Sequence, residues 1–232
     1  MIVLVGVAHV IDVSEQIGEL IAYHSPGAVG VELDPGRYRA LREKGEHGNA
    51  PLPYRLLAFM QGRLAEQFGG EVGAEMLAAV EAARRCGAQV LFLDMEAGKV
   101  FTAMLEQMPL KEKVLMVLSS LPGLFMGRKR VERELERFQE NEEAYLEAMA
   151  RSYPTVKRML VDERNEHMAR EVLMAEGTYG SVLAVVGDGH VEGIRRLLAR
   201  DDPIVYRLKD LKDLRLDAPA GTAEASFSFF LE

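Results

Sequence analysis

With 232 residues, 48 % hydrophobic and 28 % charged, the chain has a globular balance and can bury a core without disulfides or a structural metal. A formal net charge of −8, no tryptophan and no basic stripe interleaved with aromatics exclude nucleic acid as the main ligand, since phosphate neutralisation needs clustered lysine and arginine. The one cysteine, Cys86, allows no disulfide framework and implies a reducing compartment; at the end of a helical pattern it reads as a small buried hydrophobe.

The first residues, Met1-Ile2-Val3-Leu4-Val5, lack the basic flank and length of a signal peptide. No window approaches the ~20 apolar residues that span a bilayer, so a soluble cytoplasmic protein with no membrane segment is expected. Four Val/Ile/Leu-rich runs, at 2–5, 28–33, 89–93 and 182–186, lack polar alternation and read as strands covered on both faces. Residues 203–208 offer a fifth strand that begins at a proline.

Helical patterns fill the gaps. One opens near Ser14 with Ile17, Leu20 and Ile21 on one face; a second starts at Asp34-Pro35, aspartate as cap and proline in the first turn. Others cover 54–68 and 71–86, with Gly87 closing the latter. The stretch 94–181 far exceeds the ~12 residues of a parallel crossover and is helical in pattern, broken at Pro122-Gly123. Arg128-Lys129-Arg130 runs into Glu132, Glu134 and Glu136 and reads as the start of a solvated helix, whose apolar face includes Val131, Leu135, Phe138, Tyr145 and Met149. The expected architecture is α/β: a mainly parallel sheet with flanking helices and a large helical insertion over the carboxyl ends of the strands. The whole chain, 1–232, reads as one domain, with a helical subdomain at about 98–178. Beyond Asp217 the tail is small and polar until Phe227-Ser228-Phe229-Phe230, which would dock on the body or a partner.

Each strand ends in residues that its apolar body does not explain. The first runs into Gly6-Val7-Ala8-His9, the second into Glu32 and Asp34, the third into Asp94, and the fourth into Gly187-Asp188-Gly189-His190. Ligands of parallel α/β sheets bind outside the carboxyl ends of the strands, so these residues converge there. The repeated G-x-x-H lets the backbone turn tightly before each histidine. His190 opens a helical pattern, and a helix N-terminus favours the neutral imidazole that a metal ligand or general base requires.

Glu32, on a buried face, needs a partner or a task. Asp34 reads first as a helix cap. Asp94 reads equally as a cap or a site residue, and Asp188 as a turn residue holding the Gly187–Gly189 bend. Arg164 completes an every-fourth-residue stripe with Leu160, Met168 and Val172, so it is either a buried ion pair or an anion clamp. His24 and His47 lie in loop-like contexts, and His167 at a helix rim. Gly187-Asp188-Gly189 is no dinucleotide fingerprint, because Glu192 stands at the third glycine position.

Four segments together resemble the TraB-type (pheromone shutdown) family. They are Gly6-Val7-Ala8-His9-Val10; Val31-Glu32-Leu33-Asp34 with Arg37 and Leu41; Asp162-Glu163-Arg164-Asn165 with Met168-Ala169; and Val185-Val186-Gly187-Asp188-Gly189-His190-Val191 with Gly193-Ile194. That family is similar to the Tiki-type metalloproteases and, more distantly, to ChaN-like and erythromycin-esterase-like proteins. The resemblance implies an active site of His9, His190 and Glu32, with Arg164 in the same cleft. Tiki-type relatives imply a divalent metal and peptide-bond hydrolysis; esterase-like relatives imply a histidine base without metal. Three departures stand out: Val7 where threonine is frequent, Met95 after Asp94 where arginine is usual, and no hydrophobic membrane tail.

The leading expectation is a metal-dependent, peptidase-like hydrolase of a peptide or small amide or ester. His9 and His190, with Glu32 as a further ligand or as the base, would hold Zn²⁺, Mn²⁺ or Co²⁺, and Arg164 would hold a substrate carboxylate. The alternatives are a metal-independent esterase-like hydrolase, a non-catalytic protein that sequesters a peptide or small anion, and an oligomeric interaction protein using the helix around 131–149. A homo-oligomer is compatible with all of them.

Overall fold

The computed structural model describes residues 1–8, 13–42, 73–123, 147–148, 150–211 and 214. The expectations for His9, His47, the helix at 54–68, nearly all of the helix around 131–149 and the aromatic tail lie outside the described residues.

Five strands form one parallel sheet: β1 (Ile2–Val7), β2 (Ala28–Val31), β3 (Gln89–Phe92), β4 (Val182–Gly187) and β5 (Ile204–Tyr206), in the order β3-β2-β4-β1-β5. Every residue of β1 and β2, and β4 up to Val186, is buried, which is what continuous apolar runs between two helical layers require. β3 corrects the expectation of four fully covered strands. It lies at the sheet edge, with Gln89 exposed and Val90 to Phe92 only partly covered. Pro203 precedes β5 and so removes no ladder hydrogen bond.

The helices are α1 (Ser14–His24), α2 (Pro35–Arg42), α3 (Ala74–Cys86), α4 (Ala97–Gln107), α5 (Leu110–Gly123), α6 (Pro154–Lys157), a π-helical turn (Arg158–Asp162), α7 (Glu163–Tyr179), α8 (Asp188–Leu197) and α9 (Leu208–Leu211). The strand period divides the core in two. Val3, Val5, Val7, Val29, Val31, Leu183 and Val185 face α1 and α3. Ile2, Leu4, Ala28, Val182, Ala184 and Val186 face α7 and α8 through Met168, Val172, Val191 and Ile194. The sheet is therefore a middle layer between two layers of helix.

Two local readings need correction. Cys86 is exposed, not buried: it is the last residue of α3, where Gly87 (φ 76°) turns the chain away, and its thiol donates to the Ala83 carbonyl. His24 ends α1 rather than lying in a loop, and its Nε2 stands 3.0 Å from the Tyr206 hydroxyl. Burial pushes its pKa below the ordinary histidine value.

The π-helical turn between α6 and α7 has a readable cause. The Glu163 N–H bonds the Arg158 carbonyl five residues back. Two ion pairs share that spacing, Lys157–Asp162 at 2.5 Å and Arg158–Glu163 at 2.6 Å. Side chains five apart on an α-helix diverge by roughly 140° from its 3.6-residue turn, and a wider turn makes them neighbours. The expected four-residue stripe is split as a result. Met168 and Val172 enter the sheet core, whereas Leu160 packs beside Met104, Met108 and Met159. Arg164 falls at the junction.

Candidate functional site

Strand order creates the crevice. From β2 the chain passes to β3 through α3 on one face; from β4 it passes to β5 through α8 on the other. The connections diverge where β2 and β4 lie side by side, the switch point at which parallel sheets bind ligands. Glu32 follows β2 and turns to the α7 side, the face of Ala28 and Gly30. Its Oε2 accepts the Gly187 N–H at 2.6 Å, a bond that crosses the crevice. A Cβ at Gly187 would approach that oxygen to 3.2 Å, so glycine keeps the passage clear.

Arg164 is the centre of charge. Its Nη2 donates to Glu32 Oε1 and, at 2.8 Å, to Asp94 Oδ2; its Nε donates to Asp94 Oδ1 at 2.9 Å, and its Nη1 to the Leu160 carbonyl at 3.1 Å. Burial alone would lower the Arg164 pKa, but the Glu32 and Asp94 charges reverse this and raise it, so the guanidinium stays charged. The bidentate edge is occupied by Asp94, so the expected clamp on a substrate carboxylate is already filled by a carboxylate of the chain. Asp94 follows its site reading rather than the cap reading, since α4 begins after Glu96 and takes no cap from it. It pairs with Arg164, accepts the Met95 N–H at 2.8 Å and meets half-exposed Arg37 at 3.3 Å.

His190 is the third residue of α8, in its first turn. Its Nε2 lies 3.5 Å from Glu32 Oε1, and its Nδ1 lies 2.7 Å from Asn165 Oδ1. The structure thus brings Glu32, Arg164 and His190 together with Asp94 and Asn165. Val7 is in register with Gly187, so β1 delivers the chain to the same edge; His9 itself lies outside the described residues.

The two remaining aspartates are structural. Asp34 caps α2 by accepting the Gly36 and Arg37 N–H groups, and it also accepts that of Ala97. Asp188 holds no turn. It opens α8 and pairs bidentately with Arg207, at 2.9 and 2.8 Å, while accepting the Leu208 N–H. A Cβ at Gly6 would stand 2.3 Å from Asp188 Oδ1. Each G-x-x-H glycine therefore makes room for a carboxylate from elsewhere in the chain.

The sequence model of the TraB/PrgY/gumN family matches residues 1–202, a span that contains Glu32, Asp94, Arg164, Asn165 and His190. The chain belongs to that family. It is also 31 % identical, over 212 residues, to an uncharacterized protein of Methanocaldococcus jannaschii, MJ1365, covering 86 % of this chain and 53 % of the relative. The chain thus spans about half the length of the curated relative it matches.

Two ligand atoms at ~2.1 Å from a tetrahedral ion stand about 3.4 Å apart. The 3.5 Å between His190 Nε2 and Glu32 Oε1 fits such an edge. Among the described residues no group of three or more His, Cys, Asp or Glu side chains is arranged to hold an ion, so this pair would need a ligand from outside them.

Residue-by-residue reading assigned no role to Asn165, Arg37 or Arg207. Asn165 left two signals: a polar residue beside a buried stripe must be hydrogen-bonded, and Gly193 interrupts the α8 pattern three residues after His190. The Arg207–Asp188 pairing left none, because it depends on β5 joining the outer side of β1.

Proposed function

We propose that this protein is a hydrolase of peptide or small amide or ester bonds, working at the carboxyl ends of β2 and β4. The observation that carries the reading is His190 Nε2 facing Glu32 Oε1 across 3.5 Å, both side chains largely buried, with Arg164 bonded to the same carboxylate. His190 and Glu32, with His9 as the third ligand expected from sequence, would hold a divalent Zn²⁺, Mn²⁺ or Co²⁺ ion. Such an ion polarises a scissile carbonyl and makes water a stronger acid.

The chain's own residues do the rest. Arg164 keeps Glu32 oriented, because the guanidinium and the Gly187 N–H each hold one carboxylate oxygen. Asp94 fixes Arg164 in turn, so the cluster is organised before substrate arrives. His190, held through Nδ1 by Asn165, would present Nε2 to the ion in the metal-dependent reading, or to the reacting water in the metal-independent one.

One observation favours a second, metal-independent reading. Arg164 already offsets the charge of Glu32, which weakens its hold on a cation and suits an imidazole base acting alone. Elemental analysis of the purified protein and a peptidase and esterase screen, with and without added divalent ions, test both readings. Stoichiometric metal with chelator-sensitive turnover is expected. Turnover that survives chelation selects the metal-independent hydrolase, and ligand binding without turnover under all conditions rejects both. His190→Ala should lower turnover by at least ~100-fold, within the range for loss of a general base.

A further inference from the structure

Asn165 is 5 % exposed, follows Arg164 on α7 and reaches across to α8. Its Oδ1 stands 2.7 Å from His190 Nδ1. Its amide is seated on Gly193: a Cβ there would lie 2.1 Å from Nδ2 and 3.0 Å from Cγ. Glycine is a poor helix former, yet Gly193 lies inside α8 at the one place where Asn165 would collide with any side chain.

We infer that Asn165 is a positioning residue that holds His190 in the tautomer protonated at Nδ1, with Gly193 as its seat. The amide oxygen accepts the Nδ1 proton, so Nε2 carries its lone pair toward Glu32 Oε1. Two electron-pair donors facing each other at 3.5 Å are stabilised by a cation between them. The consequence for chemistry rests on the hydrolase reading above. The tautomer does not, and it is measured without substrate.

The test uses the full chain with ¹⁵N-labelled histidine, reading both ring nitrogens by long-range ¹H–¹⁵N correlation and assigning His190 by its loss in His190→Ala. The wild type should show a protonated Nδ1 and an unprotonated or metal-bound Nε2. Asn165→Asp keeps an acceptor that cannot donate, and should leave this pattern unchanged. Asn165→Ala and Gly193→Ala, the second by displacing the amide, should shift the ring toward Nε2–H. They should also lower metal affinity or turnover by ~10- to 100-fold, as loss of an outer-shell partner does. A wild-type ring protonated at Nε2, or a reversed tautomer in Asn165→Asp, overturns the inference. If Asn165→Ala does not fold, Asn165→Asp and Gly193→Ala still decide it. Absence of hydrolysis with the expected tautomer would reject the hydrolase reading alone.

Discussion

Two carboxylate–arginine arrangements stand at the same edge of the sheet, and they differ in how the charges are shared. Asp188 and Arg207 are matched one to one by a bidentate pair, reinforced by the Leu208 N–H, and together they tie the start of α8 to the end of β5. Arg164 is instead divided between Glu32 and Asp94, with His190 Nε2 facing the Glu32 carboxylate. Both sets are largely buried, and both have a glycine cleared to admit the carboxylate. Neither burial nor pairing therefore distinguishes a site from a brace. The distinguishing feature is one buried cation serving two carboxylates, one of which also meets an imidazole. That arrangement can take up a further positive charge, whereas the Asp188 pair is a latch.

The sharpest way to break this comparison is Arg164→Met. It takes the guanidinium from Glu32 and leaves Asp94 only the longer contact with half-exposed Arg37; with those carboxylates 6 % and 2 % exposed, it should cost ~3–5 kcal/mol in urea unfolding. Adding Glu32→Gln should recover part of that loss, since one stranded charge disappears; strictly additive losses would show that the two residues do not interact. Asp188→Asn tests the other half. It keeps the shape of the latch, removes its charge and should cost about 1.5–3 kcal/mol, the range for a hydrogen bond to a charged group. The ring signals of His190 and any metal binding should stay as in the wild type. Loss of either in a folded Asp188→Asn protein would place the latch within the site and dissolve the distinction.

Much of the Glu32 cluster was legible in sequence because each member violates a local rule. Glu32 ends an apolar strand, Arg164 interrupts an apolar stripe, and His190 follows a glycine turn at a strand end. The partners were less legible, because a partnership depends on which strands become neighbours. The order β3-β2-β4-β1-β5 sets Gly187 beside Glu32 and lets Arg207 reach Asp188, and no local pattern encodes it. The π-helical turn was hidden for a different reason. Its signature is a pair of five-residue charge spacings, and periodicity arguments count only threes and fours. Cys86 and β3 were misread in a third way: composition gives apolar character but not distance from an edge.

A solvent-facing set of the same chemistry completes the comparison and yields the smallest expected effect. Glu192, in the middle of α8, accepts two hydrogen bonds from Arg195 at 2.8 Å and one from Arg196 at 2.8 Å. The bond from Arg195 is the main cause that lowers its pKa to about 2; burial opposes the shift, and Arg196 adds to it. A carboxylate whose pKa falls on folding contributes stability that is fully present above its unfolded value, ordinarily about 4.3, and is lost as pH drops through its folded value. The contribution of Glu192 should therefore hold from neutral pH to about 4.5 and fade toward pH 2. Both arginines are exposed, so solvent and salt screen most of the attraction. Glu192→Gln should consequently lower the melting temperature by less than either buried substitution, and by less still in high salt. The gap between variant and wild type should close as the solution is acidified from pH 4.5 toward pH 2. A gap that widens on acidification would contradict the assigned sign. A loss as large as that of Asp188→Asn would mean that pairing rather than burial sets the cost of removing a carboxylate from this edge of the protein.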